Sequence, residues 1–261
     1  MISRRRFLAG LVVGACSMGG LLEGRATEQP VGMLYDATRC IGCGLCKRAC
    51  EEKNQLPEGR AHVDVLRAEN GRERCLRRAC MHCLNPACAS ACPVGALQKT
   101  PQGPVIYHKE RCIGCRYCMV ACPLGIPRLN WEENFPYIQK CQMCADRIAR
   151  GDSPACASAC PTGALQFGLR AELLKSAKER LAQEKLYLFG EHELGGTSVL
   201  YLSDVPFAEL GLQCQREEPL PELTAAMLHK VPWVVGALAL GLSGLYWVRQ
   251  RQKSGEEPKE E

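Results

Sequence analysis

The cysteines of this chain constrain its fold more than any other feature. There are 19 of them in 261 residues, whereas aromatic residues make up only 6% of the chain. Large apolar rings therefore do not dominate the interior, and something else must help to hold it together. Sixteen of the cysteines form four groups of four: Cys40, Cys43, Cys46 and Cys50; Cys80, Cys83, Cys88 and Cys92; Cys112, Cys115, Cys118 and Cys122; and Cys141, Cys144, Cys156 and Cys160.

The four groups repeat one spacing pattern. The first and third follow C-x2-C-x2-C-x3-C, and the second and fourth widen the middle gap to four and eleven residues. Pro93, Pro123 and Pro161 directly follow the last cysteine of three groups. Residues 88–98 and 156–166 differ at one position only. Such internal repetition indicates that the groups share an origin and a structural role.

This spacing predicts ligands of cubane iron–sulfur clusters. Cysteines two residues apart lie on a tight loop that can wrap one cluster, and Gly42, Gly44 and Gly114 suit such loops because glycine adopts positive φ freely. The fourth cysteine lies at the start of a helix and ligates a neighbouring cluster, as in bacterial two-cluster ferredoxins. Each pair of groups would then build two clusters. The spacing leaves the pairing open, because nineteen residues separate the second and third groups and eighteen the third and fourth.

Two other uses of cysteine compete with this interpretation. Zinc sites commonly use two C-x2-C knuckles separated by a longer span, and the first and third groups are too dense for that arrangement. Export favours disulfides, but disulfides do not require one spacing repeated four times. Cys75 and Cys214 lie outside the groups, and we interpret both as packed or idle thiols, with Cys75 in a strand.

The first 26 residues have the features of a secretory signal peptide. Residues 3–8 read Ser-Arg-Arg-Arg-Phe-Leu and precede a short apolar stretch that ends at Leu22. An arginine pair before Phe-Leu resembles the twin-arginine type of signal, and we expect cleavage after Ala26. Cys16 is interpreted as an ordinary residue of this peptide. An export route for folded proteins suits a chain that carries metal clusters.

An uncharged stretch near the C-terminus predicts a membrane span. Val231 to Val248 carries no charge, and as a helix it would measure about 27 Å, close to the thickness of a bilayer core. Arg249, Arg251 and Lys253 follow at once. The positive-inside rule places these residues in the cytoplasm and the cysteine-rich body outside, in agreement with the signal peptide.

The remaining composition does not indicate a catalytic site. A net charge of +5 is mild and does not point to a nucleic-acid partner, and we find no convincing nucleophile, general base pair or nucleotide loop. His82 lies inside a ligand loop and is interpreted mainly as a packing residue. Basic residues flank the cysteines. A cation close to a cluster favours its reduced state, because reduction adds negative charge. For each residue taken alone, a solvated surface charge is the simpler explanation. They are Lys47, Arg48, Arg77, Arg78, Arg111, Arg116 and Lys140.

Segments beyond the cysteines carry a resemblance to a known family. Residues 32–36, 80–83, 116–123 and 195–197 resemble the electron-transfer subunit of the type-2 uptake hydrogenase. More broadly, residues 32–166 are similar to the four-cluster ferredoxin-like subunits that accompany molybdopterin oxidoreductases and certain nickel–iron hydrogenases. The formate dehydrogenase beta subunit shares the membrane helix but usually lacks its own signal. The signal predicted here therefore favours the hydrogenase relative.

The resemblance implies a nested pairing, first group with fourth and second with third. The implied ligand sets are Cys40, Cys43, Cys46 and Cys160; Cys50, Cys141, Cys144 and Cys156; Cys80, Cys83, Cys88 and Cys122; and Cys92, Cys112, Cys115 and Cys118. In nitrate reductase relatives, replacement of the second ligand of the third group leaves a three-iron cluster. Here that position is Cys115, so we expect four four-iron clusters. Glu51 follows the last cysteine of the first group, whereas proline follows the last cysteine of the other three groups. This difference removes no cysteine ligand.

These observations predict an α+β fold of nested bacterial ferredoxin-like domains with one C-terminal transmembrane helix. The expected regions are a signal peptide at 1–26, a four-cluster domain at 27–168, an appendix with a linker at 169–227, a span at 228–248 and a tail at 249–261. Within the appendix, apolar residues at helical spacing over 169–185 predict an amphipathic helix.

The resemblance implies an electron-transfer subunit that is not itself an enzyme. Four [4Fe–4S] clusters would carry electrons between the large and small subunits of a periplasmic [NiFe] hydrogenase and an integral membrane quinone-reactive subunit. The cluster domain would lie on the periplasmic side of the cytoplasmic membrane. Two alternatives stay open: the iron–sulfur beta subunit of a formate dehydrogenase or other molybdopterin oxidoreductase, and a membrane-tethered adaptor whose clusters only hold the fold together.

Overall fold

The computed structural model describes residues 29–67, 74–131, 137–212 and 216–254. The predicted signal peptide, Cys16, Cys214 and the tail after residue 254 lie outside these residues. The strands are β1 (Val31–Asp36), β2 (Val63–Arg67), β3 (Cys75–Ala79), β4 (Leu97–Lys99), β5 (Val105–Tyr107), β6 (Arg128–Leu129), β7 (Ile138–Gln139), β8 (Leu165–Leu169), β9 (Tyr187–Phe189) and β10 (Val199–Ser203). The α-helices are α1 (Leu45–Asn54), α2 (Ala87–Ser90), α3 (Tyr117–Ala121), α4 (Ala145–Ile148), α5 (Ala155–Ser158), α6 (Arg170–Gln183), α7 (Leu220–Leu228) and α8 (Val231–Ser254).

One four-stranded sheet organises the fold, with strand order β8-β1-β10-β9. β1 pairs in parallel with β10 and antiparallel with β8, and β9 pairs antiparallel with β10. Every residue of β10 is buried, as are all residues of β1 after Val31. A strand covered on both faces needs a continuous apolar run rather than an alternating one, and Val-Leu-Tyr-Leu in β10 supplies it.

The two faces of this sheet pack against different partners, because successive side chains of a strand point to opposite sides. One face carries Leu34 and Leu202 and packs on α6. The other face carries Tyr35 and Tyr201 and packs on the cysteine-rich part of the chain, including Cys156. The sheet therefore separates a mainly apolar layer, in which buried Asp36 pairs with Arg180 of α6, from the layer that holds the candidate site.

Helix α6 confirms the amphipathic helix expected over 169–185, with Leu173 and Ala177 buried. Leu169 belongs instead to β8, where it pairs with Val31. The region 169–227 was expected to be an appendix. It supplies two strands of the central sheet, β9 and β10, and the helix α6 that packs on one face of that sheet. The long-range pairing of β10 with β1 makes this region part of the main body.

Three two-stranded antiparallel ladders lie between successive cysteine groups. β2 pairs with β3, β4 with β5, and β6 with β7. An antiparallel pair returns the chain to the edge from which it came. Each ladder therefore returns the chain from the end of one cysteine group to the start of the next.

The C-terminal part is helical. α7 and most of α8 lie in Leu220–Arg251, a helical stretch that is long and apolar enough to cross a membrane. Its most apolar 18 consecutive residues have a mean hydropathy of 1.6 and are not buried against the described part of the chain. α8 is 24 residues long, which corresponds to about 36 Å. α7 contacts α2, and Asn85 Nδ2 donates to Glu222 Oε1 at 3.5 Å. The body is thus joined to the candidate span beside the second cysteine group.

Candidate metal centres

The first candidate centre is a cavity at the loop of the first cysteine group. The thiols that line it come from two groups and are those of Cys40, Cys43, Cys46 and Cys160. Gly42 and Gly44 have φ of 67° and 72°, a conformation that glycine adopts without steric cost. This loop turns three cysteines toward one space, and α1 begins directly after Gly44.

The second centre adjoins the first, because α1 carries Cys46 of one and Cys50 of the other and Arg77 lines both cavities. Its cavity is lined by the thiols of Cys50, Cys141, Cys144 and Cys156. Met143 and Cys144 have φ of 55° and 50°, so the loop of the fourth group turns in the left-handed region without glycine. Cys156 enters from α5, beyond the eleven residues that widen this group.

The third centre is built from the third cysteine group and the last cysteine of the second. Its cavity is lined by the thiols of Cys92, Cys112, Cys115 and Cys118. Gly114 and Arg116 have φ of 70° and 67° and turn the loop before α3. The Arg116 guanidinium lies 4.6 Å from the centre of the Trp131 ring, a cation–π contact that helps to hold this turn.

The remaining thiols form a fourth set. The Cys83 thiol interacts electrostatically with those of Cys80, Cys122 and Cys88. Burial is the main reason that the pKa of the Cys83 thiol is raised, and the neighbouring thiols add to it. Burial likewise raises the pKa of Cys88 to about 12.

The structure thus brings together the same four sets of thiols that the family resemblance implies. In each set, three cysteines of one group meet the last cysteine of another. We call the Cys40 and Cys141 sets the outer pair, because they join the first and fourth groups. The Cys80 and Cys112 sets, which join the second and third groups, are called the inner pair.

The donor atoms of these sets fit [4Fe–4S] clusters. Cysteine thiolates are the ligands of such clusters, and hydrogen bonds to their sulfurs tune them. Every cysteine in the described residues is free of disulfides, and no group there is placed to hold a single metal ion. Backbone N–H groups donate to several of the sulfurs, among them Ala96 to Cys92 at 3.2 Å, Gly114 to Cys112 at 3.5 Å and Met143 to Cys141 at 3.3 Å.

Arg77 is buried between the two cavities of the outer pair. Its side chain lines both cavities, and its Nη2 atom donates to Cys156 Sγ at 3.7 Å. Burial lowers the pKa of Arg77, but the charges of Cys156, Tyr201 and Cys141 outweigh burial, so this pKa is raised. The explanation as solvated charge is wrong for Arg77, which is 2% exposed. Strand alternation in β3 turns Arg77 inward and its neighbour Arg78 outward.

Two lysines are also held near the cysteines. Lys140, which is buried, donates from Nζ to the carbonyls of Val105 and Cys141 at 2.6 and 2.8 Å. The explanation as solvated charge is therefore wrong for Lys140 as well. Lys99 donates to the His82 carbonyl at 2.9 Å, and burial lowers the pKa of Lys99 to about 8. Sequence reasoning missed Lys99, because it lies seven residues after Cys92 and no local pattern marks it.

His82 is a buried neutral side chain. Its Nδ1 atom accepts the Val105 N–H at 2.8 Å, and burial, followed by Lys140 and Lys99, lowers its pKa well below the usual value. The packing role expected for His82 agrees with this environment, and its φ of 49° shapes the loop between Cys80 and Cys83.

Cys75 is buried at the start of β3, in the strand where it was expected. Its carbonyl accepts the Tyr35 hydroxyl at 2.5 Å. A side chain on Gly42 would approach the Cys75 sulfur to 2.8 Å, so this thiol packs directly on the loop of the first group.

Comparison with known proteins agrees with these centres. Two models described as 4Fe-4S dicluster domains match residues 32–93 and 73–170. Two dicluster domains are in line with four clusters, and together the matches span all sixteen grouped cysteines.

The relatives extend beyond these domains. The Hydrogenase-2 operon protein HybA of Escherichia coli O157:H7 is 34% identical over 275 residues, which cover 81% of this chain and 84% of that protein. The nitrate-inducible formate dehydrogenase iron-sulfur subunit of Escherichia coli K12 is 38% identical over 206 residues, 68% of this chain and 69% of that subunit. The chain therefore belongs to the family of 4Fe–4S dicluster iron–sulfur proteins that includes HybA and the formate dehydrogenase iron–sulfur subunits, and its cofactors are [4Fe–4S] clusters.

Proposed function

We propose that this chain relays electrons through four [4Fe–4S] clusters between a periplasmic [NiFe] hydrogenase and a quinone-reactive membrane subunit. The proposed iron ligands are the four thiol sets of the outer and inner pairs. The observation that carries the proposal is that each of these sets combines three cysteines of one group with the last of another, so that the two sets of a pair exchange their last cysteines and lie side by side. A [4Fe–4S] cluster accepts and releases a single electron, and neighbouring clusters make a continuous path.

Neighbouring thiols support one order of the four sets. Cys46 of the Cys40 set interacts electrostatically with Cys156 of the Cys141 set. Cys141 interacts in turn with Cys80, which joins the outer pair to the inner pair. Within the inner pair, Cys88 interacts with Cys118 of the Cys112 set. The path therefore runs from the Cys40 set through the Cys141 and Cys80 sets to the Cys112 set.

The position of the candidate span supports an assignment of the two ends. Helix α2 carries Cys88 of the inner pair and contacts α7, which precedes the span. The inner pair is therefore the membrane side of the relay. Ile113 lines the Cys112 cavity and is exposed, as are the apolar side chains of Tyr117 and Val120 on α3. These residues offer a surface suited to a protein partner. At the other end Cys43 and Ile41 are exposed, and the catalytic partner would contact this loop.

The chain's own residues prepare these sites rather than perform chemistry. The left-handed loop turns orient the thiols, backbone N–H groups stabilise their charge, and buried Arg77, Lys99 and Lys140 supply positive charge close to them. The tail beginning at Arg249 would lie in the cytoplasm and the body in the periplasm, as the positive charges after the span predict.

A role beside a formate dehydrogenase is the second candidate. The 38% identity to a formate dehydrogenase iron–sulfur subunit favours it, and the same relay would then serve a molybdenum enzyme. The metal that co-purifies with the chain distinguishes the two candidate partners, because a [NiFe] hydrogenase contains nickel and the formate dehydrogenase would contain molybdenum.

The test is metal analysis and redox titration of the full-length chain, purified anaerobically in detergent with its partners. We expect about sixteen irons per chain, co-purified nickel, and reducible clusters seen by electron paramagnetic resonance (EPR). Cys115→Ser should remove one cluster signal, whereas the matched variant Cys75→Ser, outside the ligand sets, should keep all of them. Colourless protein or far fewer irons would refute the relay, molybdenum without nickel would indicate the second candidate, and clusters that cannot be reduced would indicate the structural adaptor.

A further inference from the structure

The side chain of Arg77 occupies a position shared by two candidate centres. It lines the cavity of the Cys40 set and that of the Cys141 set, and its Nη2 atom lies 3.7 Å from Cys156 Sγ. Its backbone is held by pairing with Val65 across the β2–β3 ladder and by the Tyr201 hydroxyl, which donates to the Arg77 carbonyl. The guanidinium is therefore placed by rigid elements on two sides.

This guanidinium lacks the partners that a buried cation requires. Its Nε and Nη1 atoms are buried and have no hydrogen-bond acceptor in the part of the chain that the structure describes. An arginine stays protonated in proteins, and an unpaired buried charge is strongly destabilising. Lys99 and Lys140 differ in this respect, because carbonyl oxygens accept from each of them. Arg77 lines three cavities, and the third, whose lining includes Leu66, Leu76 and Tyr201, contains no acidic side chain and no grouped cysteine. The compensating negative charge for Arg77 is therefore expected from the two cavities that the thiol sets line.

We propose that Arg77 is a shared counter-charge that raises the reduction potentials of both clusters of the outer pair. The inference rests on the ligand sets proposed above. Reduction adds one negative charge to a cluster, and a cation at short range in a medium of low dielectric constant stabilises that charge. Because one guanidinium lines both cavities, it shifts the two potentials in the same direction.

The test is Arg77→Gln in the full-length chain, followed by an EPR-monitored redox titration. Loss of the cation should lower the reduced-to-oxidised ratio of both outer-pair clusters by about tenfold at a fixed ambient potential, which corresponds to about 59 mV for a one-electron couple. The clusters of the inner pair serve as an internal reference and should keep their potentials.

Arg48→Gln is the matched control. Arg48 lies on α1 between Cys46 and Cys50, so it is near the same two clusters, but its side chain is exposed to solvent. Water and salt screen an exposed charge, and we expect the potentials of this variant to stay close to those of the parent. An equal shift in both variants would show that position between the cavities does not matter, and the proposal would fail.

Arg77→Lys distinguishes charge from shape. It retains the cation, so iron content and outer-pair potentials should remain near the parental values even if Arg77→Gln fails to assemble these clusters. Loss of iron in both variants would show that Arg77 acts through packing, and would overturn the proposal. Unchanged potentials in a fully assembled Arg77→Gln protein, a shift in only one outer cluster, or equal shifts in all four would overturn it too. Failure of the parent itself to bind about sixteen irons would refute the relay rather than the role of Arg77.

Discussion

The outer and inner pairs of thiol sets are built alike but are packed differently. The outer pair lies against the central sheet, in an apolar cluster that includes Met33, Tyr35, Val199 and Tyr201. The inner pair has a small cluster of its own, in which two of the six buried residues, Cys88 and Cys118, are cysteines. The same ligand pattern can therefore depend on the protein core in one place and on its bound clusters in another.

Removal of iron should produce the largest difference between the two pairs. After anaerobic chelation, we expect amide hydrogens of β4, β5 and α3 to exchange at least about tenfold faster, while those of β1 and β10 stay protected, because local stability follows the amount of apolar packing. Hydrogen exchange followed by mass spectrometry measures both regions in one sample. Equal loss of protection in the two regions would remove the distinction.

The next largest effect should come from the core of the sheet. Leu202→Ala removes a side chain that is 0% exposed, and we expect the free energy of unfolding to fall by about 2–5 kcal/mol. Val120→Ala, at a side chain that is 87% exposed, is the matched change near the inner pair and should cost less than about 0.5 kcal/mol. Anaerobic denaturant titrations of the full chain provide the values, and similar losses would contradict the assigned burial.

A smaller effect is expected at the tyrosine that supports the outer pair. Tyr201→Phe leaves the buried Arg77 carbonyl without its donor, which should cost about 1–3 kcal/mol of stability. Tyr117→Phe provides the comparison, since Tyr117 is exposed beside the inner pair and its hydroxyl can bond to water. The same denaturant titration measures both variants. An unchanged free energy of unfolding for Tyr201→Phe would show that the hydrogen bond contributes nothing to stability.

The smallest effect concerns a link between the pairs. Asp64 Oδ1 lies 3.8 Å from Lys47 Nζ on α1, and Asp64 Oδ2 lies 3.1 Å from Arg128 Nη2 on β6. Asp64 therefore links α1, which carries ligands of the outer pair, to β6, which packs with the inner pair. Because Lys47 and Arg128 are partly exposed, Asp64→Asn should lower the free energy of unfolding by at most about 1 kcal/mol. This loss of stability should be smaller in high salt, which screens the charges. Unfolding measured at two ionic strengths checks this. A salt-independent cost would indicate that Asp64 acts through its hydrogen bonds instead.

Local patterns predicted the local structure well. The spacing of cysteines and the glycines at 42, 44 and 114 anticipated tight left-handed loops, and apolar spacing anticipated α6 and the apolar C-terminal helix. The turn at Cys144 has no glycine, and the inward position of Arg77 depends on the register of β3. Neither could be read from composition, because loop closure and strand register are decided by contacts with distant parts of the chain.

The ligand atoms and the candidate span follow from the sequence alone: sixteen thiols in a repeated spacing, and an uncharged stretch long enough for a membrane. Spacing can show this because ligands within one loop are only a few residues apart. The tertiary structure decided which loops meet, that β10 completes the sheet beside β1, and which cations enter the interior. Cys40 and Cys160, like the paired strands β1 and β10, are more than a hundred positions apart, and only the packing of the whole chain sets the distance between them.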